Sequence, residues 1–444
     1  MKNRIDSMLL ATLLSLATLF TSPVSAANTP QLSDQERNIM DYIDSRKDEQ
    51  IDFLAELVNI NGGTRNIEGI CKVGELLVPE FESAGFATRW IHLPPEMQRA
   101  PTLVAERKGA SGKRLLLIGH LDTVFPEDGP FQKYERHGNT ATGPGIIDNK
   151  GGLVVILYAL KALHAVQALR DASISVVLTG DEENNGKPTS ISRRHLVEFA
   201  KESDVVLDFE PTIRDHASIG RRGTAHWLIT ANGREGHSSI IFSKEVGDGA
   251  VLEMARILND MLEVMSGEPG LTFNPGIVVG GVQASYEKMD GQGSAFGRTN
   301  LVARKAIASG DVRYQSASQR DRAKARMESI LQKPLPGTNA TLQFEEVLPP
   351  MKSTDDSSRL FEKYSMISEK LGYGKIYLLS ADLRGGGDIS YVSPYVTTSL
   401  VGIGANGSGE HSSQETLDVD SLFMQSQRAA LLMLDLIRPK NTPE

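Results

Sequence analysis

Five short segments of this chain concentrate residues that can hold metal ions or move protons. The first is Gly119-His120-Leu121-Asp122-Thr123-Val124, where a histidine and an acid two positions apart on extended chain point the same way. His120 can then ligate a metal while Asp122 orients the imidazole through its other nitrogen. The second, Gly143 to Gly152, opens a helix; its glycines let the backbone pass close to a ligand, and Asp148 can reach the same place. The third is Gly180-Asp181-Glu182-Glu183-Asn184-Asn185-Gly186, three successive carboxylates that repel one another unless cations offset them. One glutamate of such a pair can face a metal while its neighbour faces the attacking water, which separates ligand from general base. The fourth, Leu207 to Thr212, carries Glu210, and the fifth, Gly407 to Ser412, carries His411.

Each segment alone has a plain structural explanation: a core histidine, a helix N-cap aspartate or a solvated acidic turn. Together they supply His, Asp, Glu, Glu and His, all placed just past a buried strand or at the adjoining helix start. Five hard-to-borderline donors suit zinc or a similar divalent ion, and their number suits two metals bridged by one carboxylate. Cys71 is the only cysteine, so no internal disulfide and no thiolate cluster can form.

The elements that must position these segments follow from hydrophobic periodicity. Ile39, Tyr42, Ile43, Ile51, Leu54 and Leu57 recur at helical spacing, and a second helix is predicted from Glu68 to Gly85, with Pro79 as a possible kink. Strands are predicted at Thr102–Glu106, Arg114–Ile118, Ser173–Leu178 and Val205–Phe209, with a helix over Gly152–Ala165. The alternation points to an α/β fold, a mostly parallel sheet flanked by helices. Open sheets of this kind bind ligands at the carboxyl ends of their strands, where the acidic segments fall.

Between Gly220 and Met351 the pattern changes to strand (Thr224–Thr230), helix (Gly249–Met265), strands (Thr272–Val282 and Asn300–Val312), helix (Ala317–Gln332) and strand (Ala340–Val347). This predicts an inserted α+β domain with an antiparallel sheet, and reads Gly291–Gly297 as a short glycine-rich loop. Helix Ser357–Leu371, strand Thr397–Val401 and helix Ser421–Ile437 then resume the first rhythm. The expected layout is a signal segment over 1–26, a catalytic domain from 27–219 and 351–444, and the insert over 220–350.

At 444 residues the chain exceeds what one core comfortably supports, and a net charge of -9 offers no footprint for nucleic acid. Lys2 and Arg4, the apolar run Met8–Phe20 and the small-residue site Val24-Ser25-Ala26 predict an export signal cleaved after Ala26, leaving no stable membrane anchor. With a single cysteine, a bacterial periplasm or secretion fits.

The ordered set GHLDTV, GIIDNKGG, TGDEEN, FEPT, GREGHSS, GGGD and GEHS resembles the zinc-dependent glutamate carboxypeptidase family, related to acetylornithine deacetylase, succinyl-diaminopimelate desuccinylase and aminoacylase. The resemblance spans essentially the whole chain after residue 26. It implies the di-zinc exopeptidase fold, with the insert as a lid and dimerisation domain, and two zinc ions per subunit. His120 and Glu210 would complete one zinc shell and Glu183 and His411 the other, with Asp148 as the bridge. Glu182 would be the general base and Asp122 the residue that orients His120. In the lid, His237 would reach the partner subunit's site and polarise the scissile carbonyl, while Asn300 and Arg313 would hold substrate. Gly386 and Gly387 belong to the implied substrate-lining loop. The implied substrate is a small peptide or N-acyl amino acid, cleaved next to a carboxylate-bearing residue. The alternative within the family is an N-acyl amino acid deacylase or a dipeptidase. Two departures stand out: Val347–Met351 lacks the arginine that folate-cleaving members carry after the lid, with Arg384 a candidate replacement, and Arg221 and Arg222 add charge at the lid entrance with no assigned role.

Overall fold

The computed structural model of the protein describes residues 31–288, 291–383 and 385–439. The expected signal segment and Arg384 therefore lie outside the described residues. Among the described residues, no helix is long and apolar enough to cross a membrane.

The central sheet has six strands, in the order Ala87–Ile91, Thr102–Arg107, Ala172–Thr179, Ser111–His120, Val205–Asp208 and Ser399–Val401. The last four run parallel; Thr102–Arg107 joins them antiparallel at one edge, and Ala87–Ile91 pairs antiparallel with it in turn. A parallel sheet needs cover on both faces, and the sequence supplies it by making alternate residues apolar on each side. Along the central strand, Leu115 and Leu117 face one core with helices Gly152–Ala165 and Val419–Ile437, while Leu116 and Ile118 face a second core with Leu196 and Val392. That buried strand runs straight into His120. Helix Asp34–Asp44 is started by a capping box between Ser33 and Glu36, and helix Ile67–Ser83 runs unbroken through Pro79.

Residues 223–348 leave this sheet and build another, antiparallel, ordered Thr272–Gly281, Lys305–Tyr314, Gly223–Asn232 and Asn339–Leu348. Helices Ala250–Met265 and Ala317–Leu331 pack on one face of it around Trp227, Ile257, Met261 and Met327. The chain leaves and returns at one place, where Arg221 and Met351 exchange backbone hydrogen bonds of 3.1 and 3.0 Å.

Three local expectations change. Gly291–Gly297 is not simply a loop: Gln292–Phe296 is a strand paired antiparallel with Gln283–Glu287, and being exposed throughout it carries no buried apolar stripe to betray it. The strand expected from Asn300 begins only at Lys305, because the preceding residues turn to meet His237. Ala87–Ile91 adds an edge strand beyond those expected from hydrophobic periodicity.

Candidate active site

All five acidic or histidine-bearing segments converge at the carboxyl edge of the parallel strands. His120, completely buried, places Nε2 3.0 Å from Asp148 Oδ1 and 3.6 Å from Glu210 Oε1. On the other side of Asp148, His411 Nε2 lies 3.1 Å from Oδ2 and 3.2 Å from Glu183 Oε2. His120, Asp148 and Glu210 thus form one potential metal-binding group, and Asp148, Glu183 and His411 a second, the donor atoms in each lying within 4.8 Å of one another. Asp148 is common to both.

Asp122 does more than its expected task. Its carboxylate stands 3.5 Å from His120 Nδ1, whose nearer contact is the Asp122 carbonyl at 3.0 Å. The carboxylate instead accepts from the Thr64 hydroxyl at 2.6 Å and from the backbone amides of Glu182 and Glu183 at 2.9 and 3.1 Å. One buried acid therefore ties the imidazole strand to the glutamate turn.

The electrostatics of the cluster call for cations. Asp148, Glu182, Glu183 and Glu210 crowd four carboxylates into one largely buried place, and Glu183 Oε1 has no hydrogen-bond partner there. Burial, reinforced by Glu210, Asp388 and Glu183 against the opposing pull of His120, pushes the Glu182 carboxyl well above the usual range. Burial also raises Glu183. The His411 imidazole, bonded to Asp148 and Glu183, is pushed up to about 11. Buried like charges at this density are stable only when compensated. Imidazole and carboxylate donors in two groups sharing one aspartate fit a pair of divalent ions, and the unpartnered Glu183 oxygen is a free donor for one of them.

Two buried networks that sequence patterns did not announce support the site. Arg193, 1% exposed, donates to Asp181 Oδ1 and to Asp388 Oδ1 at 2.5 Å each, while Thr179 donates to the other Asp388 oxygen at 2.6 Å. This ties the turn bearing Glu182 to the loop bearing Gly386 and Gly387. Arg221, equally buried, lies 3.7 Å from Glu210 Oε2 with Nε and Nη2 lacking hydrogen-bond partners. Gly387 sits against both groups: a Cβ there would stand 2.5 Å from Arg221 Nη1 and 3.6 Å from Glu182 Oε1, so a side chain would collide with the guanidinium. Gly386 is similarly closed by Leu348, at 2.3 Å.

The substrate residues implied in the insert are not all brought together. His237 and Asn300 are neighbours: the segment pairs through His237 and Leu301, and Ser238 N donates to Asn300 O at 2.9 Å. They sit at the end of the antiparallel sheet far from Arg221, beyond a ten-residue strand. At about 3.3 Å per residue that strand measures about 30 Å. The hydrogen bonds of the His237 side chain go to Ser239, within the insert. Arg313 lies at the near end, opposite Thr224 and Thr272, where it pairs with Asp311 at 3.0 Å.

Comparison with known proteins agrees with this geometry. The sequence profile of peptidase family M20/M25/M40 matches residues 116–435. Carboxypeptidase G2 from Pseudomonas sp. (strain RS-16) is 30% identical over 397 residues, covering 87% of this chain and 89% of that protein. The fold is similar to aminopeptidase PepT from Bacillus cereus, with a TM-score of 0.71, 15% identity, and coverage of 88% of this chain and 98% of that one. It is also similar to the Bacillus subtilis YXEP protein, described as a dinuclear metal binding peptidase, with a TM-score of 0.60, 14% identity, and coverage of 89% and 99%.

Proposed function

This chain belongs to peptidase family M20/M25/M40, a family of metal-dependent hydrolases, and from that premise we propose that it is a two-metal amide hydrolase of the glutamate carboxypeptidase type. Its substrate would be a small peptide or N-acyl amino acid, cut next to a carboxylate-bearing residue. The observation that carries this reading is Asp148, set between two donor groups with one oxygen toward His120 and the other toward His411. His120, Asp148 and Glu210 would hold one zinc ion, and Asp148, Glu183 and His411 the other. Bound there, such ions lower the pKa of water and polarise the scissile carbonyl.

The chain's own residues supply the rest. Glu182 takes a proton from the attacking water as its oxygen bonds to the carbonyl carbon. Glu182 then gives that proton to the nitrogen as the carbon–nitrogen bond breaks, so the carboxyl group ends as it began. Asp122, through the amides of both glutamates, keeps Glu182 at the water and Glu183 at the metal. Gly386 and Gly387 let their loop pack directly on Leu348 and the Arg221 guanidinium, and Arg221 and Arg313 would supply positive charge for a substrate carboxylate.

Hydrolysis rates on the zinc-loaded protein across Xaa-Glu peptides, folate-like glutamyl amides and acetylated amino acids test the assignment. Preference for the glutamyl substrates is expected. Preference for acetylated amino acids would replace this reading with an N-acyl amino acid deacylase, and preference for dipeptides without regard to a C-terminal glutamate with a dipeptidase.

We further propose that residues 220–350 form a lid through which two chains associate. A strand about 30 Å long separates His237 and Asn300 from the crossing point of their own chain, so they suit the site of a partner subunit. Val251, Leu262, Val278 and Phe296 expose apolar surface on this lid, between 45% and 56% of each residue. Sedimentation should give a dimer; a monomer with full activity would remove any role in trans for His237.

A further inference from the structure

One buried acid that shapes the metal-binding edge is absent from the ligand set. Glu415 is completely buried, and both of its oxygens are spent on the backbone that carries Asp148. Oε1 accepts from the amides of Ile147 and Asp148 at 2.9 and 3.1 Å, and Oε2 from the amide of Gly145 at 3.0 Å. This stretch is an irregular turn: Gly145 has a φ of 69°, and Asp148 departs from helical backbone at φ -115°, ψ 83°. Such a turn leaves amides without helical partners, and an ionised carboxylate is a strong acceptor for them.

The opposite polarity of the same turn is also held. Lys150, 1% exposed, donates to the carbonyls of Pro144 at 3.2 Å and Ile60 at 2.9 Å. Glu415 also joins two ligand segments. It lies four residues after His411 and just before strand Thr416–Asp418, which pairs with Thr140–Thr142 leading into the turn. The Thr142 hydroxyl donates to the Glu415 carbonyl at 2.7 Å.

We propose that Glu415 is a positioning residue for the metal pair, its carboxylate fixing the turn that aims Asp148 and tying that turn to the segment that delivers His411. The proposal rests on the reading of Asp148 and His411 as metal ligands. Residues that orient ligands commonly change metal affinity about 10–100-fold when lost. The group containing His411 depends on Glu415 twice, through Asp148 and through its own segment. Its metal should therefore weaken more than the metal held by His120 and Glu210.

The test is zinc binding to the full chain, measured by competition with a chromogenic chelator, alongside circular dichroism. Glu415→Gln replaces one acceptor oxygen with an NH2 group that confronts backbone N–H donors. It is expected to fold normally, to bind one of two zinc equivalents about 10–100-fold more weakly, and to regain most turnover in excess zinc. Thr142→Val cuts only the contact to the Glu415 carbonyl and is expected to leave zinc binding unchanged. Should Glu415→Gln fail to fold, Glu415→Asp, which keeps the charge but withdraws it from the turn, carries the same expectation. A folded Glu415 variant with both wild-type zinc affinities overturns the proposal, as does a variant whose lost turnover excess zinc does not restore. A wild-type chain that binds no zinc would instead overturn the ligand assignment beneath it.

Discussion

Glu182→Gln is expected to lower kcat about 10²–10⁴-fold, the usual contribution of a positioned acid–base group, while the protein keeps its metals and its fold. The substitution preserves shape and removes only the ability to carry a proton. The two potential metal-binding groups are His120, Asp148 and Glu210, and Asp148, Glu183 and His411; Glu182 is in neither, so both donor sets are untouched. The position of the turn does not depend on the Glu182 side chain either, since Asp122 holds it through the backbone amides of Glu182 and Glu183. Removing one charge from a crowded set of buried carboxylates relieves repulsion, so the metal-free variant should be no less stable than wild type. A thermal midpoint, a metal count and kcat measured on the same sample check all three statements. A variant that lost metal along with activity would make Glu182 a ligand.

Asp148→Asn is expected to be the most damaging change to metal binding. The aspartate serves both groups, so a single lost charge is felt by each ion. Unit charges about 4 Å apart at an effective dielectric constant near 20 interact by about 4 kcal/mol, roughly a thousandfold in affinity for each metal. The asparagine oxygen still accepts a hydrogen bond but cannot neutralise two cations. Turnover should fall with metal occupancy. The Arg313 side chain in the insert and the Gly386-Gly387 loop of the catalytic domain are untouched by this change.

The parts of this arrangement that could be read from sequence share one property: their signal is local. Leu115 to Ile118 is a continuous apolar run because both faces of that strand are buried, and His120 follows it directly. The same logic located the segments with Glu182, Glu183 and Glu210. Exposed pairing leaves no such trace. Ala87–Ile91 is a partly exposed edge strand, and Gln292–Phe296 is exposed throughout. Long-range polar pairing is equally silent. Arg193 and Asp388 are 195 positions apart, and Glu415 meets Asp148 across 267, so no window along the chain contains both partners. Arg221 stood out as unexplained charge; only the folded chain shows its guanidinium beside Glu210 and Gly387.

In the proposed mechanism one aspartate, Asp148, would join two metals on which hydrolysis depends. Titrating metal-free wild type and Asp148→Asn with zinc in parallel, by calorimetry with turnover assayed at each point, tests it most directly. Wild type is expected to bind two equivalents, with activity rising as they fill, and both equivalents should weaken together in Asp148→Asn. Full turnover by the metal-free chain, or loss of only one equivalent in Asp148→Asn with the other at wild-type affinity, would contradict it.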